Sequence, residues 1–167
     1  MEFEICTEML EQRKYTIIDK DDDRILAVKP DGKEMCVFFT LLSKFNVKSI
    51  QDFILMMKEM DVLHCIIVYK DKITPIAKQV IDECEFNIEL FHIDELQYNI
   101  TKHYLVPNHE VAYRAGTPGY IEFKKKYSDK FPVLLKSDVI CRFYAYNKGD
   151  IIKITRKNGY VTFRIVK

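Results

Sequence analysis

Apolar residues in the first part of the chain recur at spacings typical of a helix followed by strands. Residues 4–14 place apolar side chains on one helical face. Residues 24–28 and 34–40 have the composition of strands, and Pro30-Asp-Gly-Lys33 between them is typical of a tight turn in which glycine supplies the positive φ. The pattern therefore predicts a helix and then a hairpin.

Helical and strand patterns alternate in the residues that follow. Residues 49–60 have a helical apolar stripe, with a capping-box pattern that starts at Ser49. The nearly continuous apolar run Val62–Tyr69 predicts a strand covered on both faces. Thr74-Pro75 then predicts a helix start, because Pro fits the first helical position, and Asn87–His92 predicts another strand. This alternation predicts an α/β arrangement with at least partly parallel pairing.

The end of the chain has the clearest local pattern. Residues 151–166 alternate around Asn158-Gly159, which favours a type I′ hairpin turn. A two-residue loop pairs Lys157 with Tyr160, and this pairing fixes the register. Residues 120–127 predict a short, Lys-rich helix. In the predicted register one face of the hairpin carries Ile152, Ile154, Val161, Phe163 and Ile165, and the other carries Lys153, Thr155, Thr162 and Arg164.

Charge divides the chain into two parts. The 167 residues are 48% apolar, enough for the core of one domain or of two small ones. Residues 1–97 contain 12 Lys/Arg and 20 Asp/Glu, a net charge of −8, whereas residues 98–167 contain 14 and 5, a net charge of +9. This asymmetry indicates two modules with different partners and a boundary near Glu95–Asn99. The basic half suits an acidic protein or nucleic acid.

The sequence contains neither a metal-binding motif nor a stretch typical of a transmembrane segment. Five cysteines are widely spaced without a C-x-x-C pair, which favours reduced thiols in a core. His103 and His109 are six residues apart on an irregular stretch, which is not a metal-binding pattern. No apolar stretch has transmembrane length and the start lacks signal-peptide character, so we expect an intracellular protein with no membrane partner. We expect no metal and no cofactor.

Motifs in the second half occur in the order of one known family. They are Asn99-Ile-Thr-Lys-His-Tyr-Leu-Val-Pro-Asn-His-Glu-Val111, Phe131-Pro-Val-Leu-Leu-Lys-Ser-Asp138, Arg142-Phe-Tyr144, Asn147-Lys-Gly-Asp-Ile-Ile-Lys-Ile154 and, in part, Gly159-Tyr-Val-Thr-Phe-Arg-Ile-Val166. Together they resemble the fifth subunit of RNA polymerase, which all eukaryotic nuclear polymerases share, and the archaeal counterpart of that subunit.

The first half resembles the jaw domain of the eukaryotic subunit more loosely. The similar segments are Cys6–Tyr15, Val37–Phe39 and Thr74-Pro-Ile-Ala-Lys78. Since the archaeal counterpart lacks a jaw, the resemblance implies a eukaryote or a virus of eukaryotes. Ser137-Asp138-Val139 lacks the family's proline, the insertion in the last hairpin is missing, and the loop after the first helix is short. This shortening favours a large DNA virus.

The resemblance implies both a fold and a task. Residues 1–96 are expected to form an α/β jaw domain with a restriction-endonuclease-like fold. Residues 97–167 are expected to form an α+β assembly domain with a mixed sheet. The chain would be a non-catalytic subunit of a multisubunit DNA-dependent RNA polymerase, with the largest subunit, other polymerase subunits and downstream duplex DNA as partners. It would act in the nucleus, or in a viral factory or virion, and no catalytic residue is assigned.

The same resemblance implies two sets of contact residues. The expected DNA contacts are at a helix N-terminus, which presents N–H groups and partial positive charge to phosphate, beside Lys70 and Lys72. The alternative is an ordinary capped helix, and the charge of −8 argues against strong independent DNA binding. The DNA-contact residues are Thr74, Pro75, Ile76, Ala77 and Lys78. The subunit-docking residues are His103, Val106, Pro107, His109, Arg142, Tyr144, Lys148, Lys153, Tyr160 and Arg164, and half-buried packing or a solvated basic face is the alternative for them.

Two other functions stay open. A Mg²⁺-dependent nuclease needs an Asp and an Asp/Glu-x-Lys motif on neighbouring strands. Asp31-Gly-Lys33 is the only tempting match and lies in a turn, while Val62–Tyr69 has no acid. A stand-alone DNA-binding transcription factor would use the basic half. A polymerase subunit co-purifies with very large subunits, a nuclease cuts DNA alone with Mg²⁺, and a free factor shifts DNA alone.

Overall fold

A computed structural model describes residues 1–40, 45–127 and 130–167 of the chain. These residues form two compact units, Met1–Tyr98 and Asn99–Lys167. The first unit contains helices α1 Glu2–Gln12, α2 Val47–Glu59 and α3 Pro75–Glu83, strands β1 Thr16–Lys20, β2 Arg24–Val28, β3 Glu34–Phe39, β4 His64–Tyr69 and β5 Asn87–His92, and a 3₁₀ helix, Ile93–Leu96. The second contains a 3₁₀ helix, Ile100–Lys102, strands β6 Asn108–Tyr113, β7 Val133–Leu134, β8 Ile151–Thr155 and β9 Val161–Val166, and helices α4 Pro118–Tyr127 and α5 Val139–Tyr144.

The first unit is built on a mixed five-stranded sheet in the order β1-β2-β3-β4-β5. Strands β1 to β3 pair antiparallel, and β3, β4 and β5 pair parallel. The turn between β2 and β3 has Gly32 at φ 84°, as the Pro-Asp-Gly-Lys pattern predicts. The prediction of an α/β half with partly parallel pairing is confirmed. Strand β1 was not predicted, because its burial is too low to leave an alternating apolar pattern.

The parallel strands are linked by helices whose starts are capped by side chains. Helix α3 begins at Pro75, and the Oγ1 of Thr74 accepts a hydrogen bond from the Ala77 N–H at 3.2 Å, as predicted. Helix α2 begins two residues before the predicted position. Its cap is Asn46, whose Oδ1 accepts from the Ser49 N–H at 3.1 Å, so the capping box predicted at Ser49 is wrong. Asn is a preferred N-cap residue, and here the earlier cap prevails.

Both faces of the central strands β3 and β4 are buried. On one face Cys36, Phe38, Cys65 and Ile67 pack with the apolar stripe of α2 and with α3. On the other face α1 provides cover, since the ring of Phe3 stacks on that of Phe39 with centroids 4.5 Å apart. Double coverage explains why β4 is apolar at nearly every position.

The second unit is built on a four-stranded mixed sheet in the order β6-β8-β9-β7. Strands β6, β8 and β9 pair antiparallel, and the two-residue strand β7 pairs parallel with β9. The prediction of a mixed sheet in this half is confirmed. The likeness of the first unit to restriction-endonuclease folds, and the roles of residues 1–96 as a jaw and 97–167 as an assembly domain, stay predictions.

The register predicted for the hairpin of β8 and β9 is wrong by one residue. The closing pair is Arg156 with Tyr160, because the Arg156 N–H donates to the Tyr160 carbonyl at 2.9 Å. The loop therefore has three residues, 157–159, and ends with Gly159 at φ 81°. Three-residue loops of this kind end in a left-handed residue that forms a bulge, so the pairing shifts by one relative to a type I′ turn.

This register changes which side chains share a face. Ile152 lies opposite Arg164, and Lys153 lies opposite Phe163. The predicted faces, which grouped Lys153 with Arg164, are therefore wrong, because a one-residue shift moves one strand's side chains to the other face. Phe163 instead faces α4, where its ring centroid lies 5.0 Å from that of Phe123.

The two faces of the second sheet pack against different helices. One face holds Ile152, Ile154 and Val166 against buried residues of α5. The other contacts Phe123 of α4, whose ring also packs on the rings of Tyr113, Tyr127 and Phe131 at centroid distances of 5.0, 4.7 and 5.2 Å. None of the helices in the described part of the chain has the length and apolar character that a membrane crossing requires.

Candidate docking surface and DNA-facing segment

The segment Thr74–Lys78 lies at the start of α3 and is held in place from both sides. The Thr74 N–H donates to the Phe45 carbonyl at 3.1 Å, and Phe45 forms an isolated bridge with Ile73. Nearby, Nε2 of His92 lies 2.6 Å from the Lys70 carbonyl oxygen. Backbone groups of the loop that presents the segment are thus held by contacts with Phe45 and His92.

The five residues of this segment differ in what they present to solvent. Thr74, Pro75, Ile76 and Lys78 are exposed, whereas Ala77 is fully buried in the core beneath the helix. Pro75 has no N–H, and the Ala77 N–H is already bonded to Thr74. The Ala77 side chain is therefore unavailable to a ligand, and any phosphate contact depends mainly on Lys78 and on the exposed start of the helix.

The predicted docking residues of the second unit have unequal exposure. His103, Lys148 and Tyr160 are exposed, and the other seven are half-buried. Val106 packs against the core of the unit. Lys153 is paired with Glu110 at 2.9 Å, and Arg164 donates from Nη1 to the Val133 carbonyl at 3.3 Å. These residues therefore do not form one continuous basic surface.

The hydrogen bond and the burial of His109 indicate a structural role within its own unit. Its Nδ1 lies 2.8 Å from the Pro107 carbonyl oxygen. Burial lowers the pKa of the His109 imidazole, while that hydrogen bond and the charge of Asp138 act in the opposite direction. The neighbouring charges of Arg164 and Arg156 lower it further. The lowered pKa favours a neutral ring near pH 7, so His109 adds shape rather than charge to a docking surface.

The predicted docking residues Tyr144 and Tyr160, and the neighbouring Tyr146, have different environments. Tyr146 is buried, and its hydroxyl donates to the His109 carbonyl at 3.0 Å. Tyr144 stacks on Tyr146 with ring centroids 5.2 Å apart. Tyr160 is exposed at the hairpin loop. Tyr146 thus belongs to the core, Tyr144 is half-buried, and Tyr160 is exposed.

Sequence reasoning missed two features near these residues. Asp150 is buried and accepts hydrogen bonds from Arg114 Nη1 at 2.6 Å and from the Asn147 N–H at 2.9 Å, so it anchors the start of β8. Tyr104 and Leu105 are both exposed and lie just before β6. They stand within the Asn-Ile-Thr motif segment, and a large apolar pair in an irregular stretch was the available signal.

Within the described residues, the acids that a Mg²⁺-dependent nuclease would use are not brought together. Asp31 and Lys33 pair with each other at 3.1 Å in the exposed turn between β2 and β3. Within residues 1–40, 45–127 and 130–167, no group of three His, Cys, Asp or Glu side chains is placed to hold a metal ion. Burial raises the pKa of Cys6 and of Cys36 to about 12, which keeps both thiols protonated.

Comparisons with known proteins agree on one family. Residues 98–166 match the family described as RNA polymerase Rpb5, C-terminal domain. The sequence is 33% identical to a protein of Invertebrate iridescent virus 6 named as DNA-directed RNA polymerase subunit 454R, over 99% of this chain and 97% of that protein. It is 28% identical to the subunit rpabc1 of RNA polymerases I, II and III of Dictyostelium discoideum, over 95% of this chain and 91% of that protein. It is 31% identical to RPABC1 of Caenorhabditis elegans, over 88% and 74%.

Proposed function

The chain belongs to the Rpb5/RPABC1 family of non-catalytic RNA polymerase subunits, and from this premise we propose that it docks on the largest subunit of its polymerase. The observation that carries the proposal is the similarity, over 99% and 88% of this chain, to proteins named as polymerase subunits in a virus and an animal. Other polymerase subunits are its partners. Transcription is the process in which it takes part, and nucleotide addition belongs to the large subunits.

The second unit is the part that we propose to bind the largest subunit. Its net charge of +9 causes electrostatic repulsion within the unit, and an acidic partner surface would reduce that repulsion. His103, Lys148 and Tyr160 are the predicted docking residues that are exposed. The half-buried members, such as His109 and Tyr144, offer less surface to a partner.

The first unit is the part that we propose to lie beside downstream duplex DNA. The exposed start of α3 and the exposed Lys70, Lys72 and Lys78 support a phosphate contact there. Such a contact is independent of base sequence and weakens with salt. The unit's net charge of −8 means that the contact acts only when the assembled polymerase holds the DNA in place.

The proposed compartment follows from the relatives. Eukaryotic relatives are named as subunits of RNA polymerases I, II and III, and one relative is viral. We accordingly propose that the chain works in a nucleus or in a viral factory or virion.

Co-expression tests the docking proposal. The full chain is produced together with the tagged largest polymerase subunit from the same genome, and the complex is captured through the tag. We expect the chain to co-elute with the large subunit in stoichiometric amount. A chain that elutes alone, while the large subunit is folded and captured, contradicts the proposal.

A charge reversal tests the DNA-facing proposal in the assembled polymerase. Lys78→Glu at the start of α3 is compared with Lys48→Glu at the start of α2, since both lysines are exposed. We expect Lys78→Glu to weaken retention on downstream duplex and to reduce the slope of log affinity against log salt by about 0.9. Equal behaviour of the two variants contradicts a contact at α3.

A further inference from the structure

Exposed apolar side chains gather at one end of the second unit's sheet. Tyr104 is 68% exposed, Leu105 70%, Tyr160 62% and Val161 39%. Residues 104 and 105 lie just before β6, and Asn108 at the start of β6 pairs with Thr155 at the end of β8. Residues 104 and 105 therefore lie at the same end of the sheet as the hairpin loop.

A direct contact joins the two segments. The Nζ of Lys157 lies 5.8 Å from the centre of the Tyr104 ring. We call Tyr104, Leu105, Arg156, Lys157, Tyr160 and Val161 the tip patch.

The local backbone turns the apolar side chains of the tip patch outward. The Leu105 N–H donates to Nδ1 of His103 at 3.3 Å, and the Val106 N–H donates to the His103 carbonyl at 2.9 Å. Val106 packs into the core, whereas Leu105 and its neighbour Tyr104 point to solvent. These hydrogen bonds fix the turn, and Tyr104 and Leu105, its two largest apolar side chains, are not buried within the unit. Contiguous exposed apolar side chains of this kind mark interaction surfaces.

The charged residues of the tip patch are all positive. Residues 102–109 and 155–163 contain Lys102, Arg156 and Lys157 and neither Asp nor Glu. Acids on nearby elements have partners of their own. Glu110 is paired with Lys153, and the side chain of Asp138 accepts from the Ile140 N–H at 2.8 Å. The tip patch thus combines positive charge with exposed apolar area.

We propose that the tip patch receives an acidic protein segment of the largest polymerase subunit, in which apolar side chains alternate with Asp or Glu. This proposal rests on the proposed function and names the surface and the chemistry of the partner. Arg156 and Lys157 pair with the acids, and Leu105 and Tyr104 bury the apolar side chains. The aliphatic Leu105 and Val161 favour a protein partner over nucleic acid, whose phosphates and base faces are matched chiefly by basic and aromatic side chains.

Charge reversal with a matched control tests the surface. In the full chain, Arg156→Glu/Lys157→Glu is compared with Lys125→Glu/Lys126→Glu, which makes the same change in net charge on exposed lysines of α4. Binding to the purified largest subunit is measured by biolayer interferometry. We expect the tip variant to bind at least roughly tenfold more weakly and the α4 variant to bind about as the wild type does. Leu105→Ser is expected to weaken binding by roughly tenfold as well, without the charge change.

The possible results distinguish a failure of the tip-patch proposal from a failure of the proposed function. A wild-type chain that does not bind the largest subunit refutes the proposed function itself. Wild-type binding that neither tip variant weakens, or that the α4 variant weakens equally, refutes the tip patch alone. A tip variant that loses retention on duplex DNA but binds the subunit normally also refutes it and indicates a nucleic-acid surface. Thermal unfolding of each variant verifies the fold, and Tyr104→Ser replaces any variant that melts early.

Photo-crosslinking tests the partner's chemistry. A benzoylphenylalanine placed at Leu105 is activated in the complex, and the same residue at the exposed Ile121 of α4 is the control. We expect position 105 to crosslink a peptide of the largest subunit with an excess of Asp and Glu, and position 121 not to do so. A crosslinked peptide without that excess, or identical products from both positions, overturns the proposal.

Discussion

Three elements of the first unit meet at a buried ion pair. Arg13, at the end of α1, donates to both carboxylate oxygens of Glu89 on β5, at 2.9 and 2.8 Å. Nε2 of His64 on β4 lies 2.7 Å from the same carboxylate. The Arg13 side chain is 3% exposed and that of Glu89 18%. We predict that Glu89→Gln strongly destabilises this unit.

The magnitude follows by two routes. Burial raises the pKa of Glu89, but the charge of Arg13 and hydrogen bonds from His64 and Arg13 outweigh it and lower the pKa from 4.5 to about 2. At about 1.4 kcal/mol per pKa unit, this shift corresponds to about 3 kcal/mol of stability. Removing one partner of a buried ion pair costs about 3–5 kcal/mol, because the other charge stays buried. We expect a loss of about 3 kcal/mol in the free energy of unfolding.

The sign of the pH dependence is fixed by the direction of the shift. Since the pKa of Glu89 is lower in the folded state, its stabilisation is complete above the unfolded pKa near 4.5 and is lost as the pH falls toward 2. Urea unfolding followed by far-ultraviolet circular dichroism measures both proteins at neutral pH and at about pH 2. The difference between wild type and Glu89→Gln should shrink at the lower pH.

The control is an ion pair in the same unit with a similar N–O distance and more exposure. Arg24 and Asp21 lie 2.8 Å apart, with side chains 37% and 52% exposed. Asp21→Asn should have little effect, because solvent screens exposed pairs. A Glu89→Gln variant as stable as Asp21→Asn, or a difference from wild type that does not depend on pH, refutes the reasoning.

Three further changes concern the second unit, and thermal unfolding measures each. Asp150→Asn should cost about 2–3 kcal/mol, because the buried carboxylate loses its charged bond with Arg114; an unchanged melting temperature contradicts this. Phe123→Ala should cost about 3–5 kcal/mol, since its ring joins α4 to the sheet, and Ile121→Ala on the exposed side is the control. Ala145→Gly should raise stability by about 0.5–1 kcal/mol, because Ala145 ends α5 at φ 53°; a lower melting temperature opposes this.

Local pattern predicted the elements that are buried on two faces or closed by turn residues. Strands β2, β4 and β5 and helix α3 lie within a few residues of their predicted positions, because continuous apolar runs and the Thr74-Pro75 cap leave little choice. Strands β6 and β7 were missed. β7 has only two residues and pairs in parallel with the end of β9, so its existence depends on a partner distant in sequence.

Site residues were harder to predict because exposure depends on packing. Ala77 and Lys78 are adjacent in a motif segment, yet one is core and the other is exposed. Asp150 is equally informative: a carboxylate after Lys-Gly has the sequence of an exposed turn, but hydrogen bonds from Arg114 and Asn147 bury it. A sequence motif therefore names candidate segments without separating their exposed residues from their buried ones.

The length of the last hairpin loop decides where positive charge is offered to a partner. With a two-residue loop, Lys153 and Arg164 would share a face and form a basic strip along the strands. With the three-residue loop they lie on opposite faces, Lys153 pairs with Glu110, and Arg164 is bonded to the Val133 carbonyl. Arg156 and Lys157, at the loop itself, are exposed, and Lys157 lies beside the exposed ring of Tyr104. Turn geometry thus moves the candidate docking surface from the middle of the sheet to its end, which is why composition alone did not locate it.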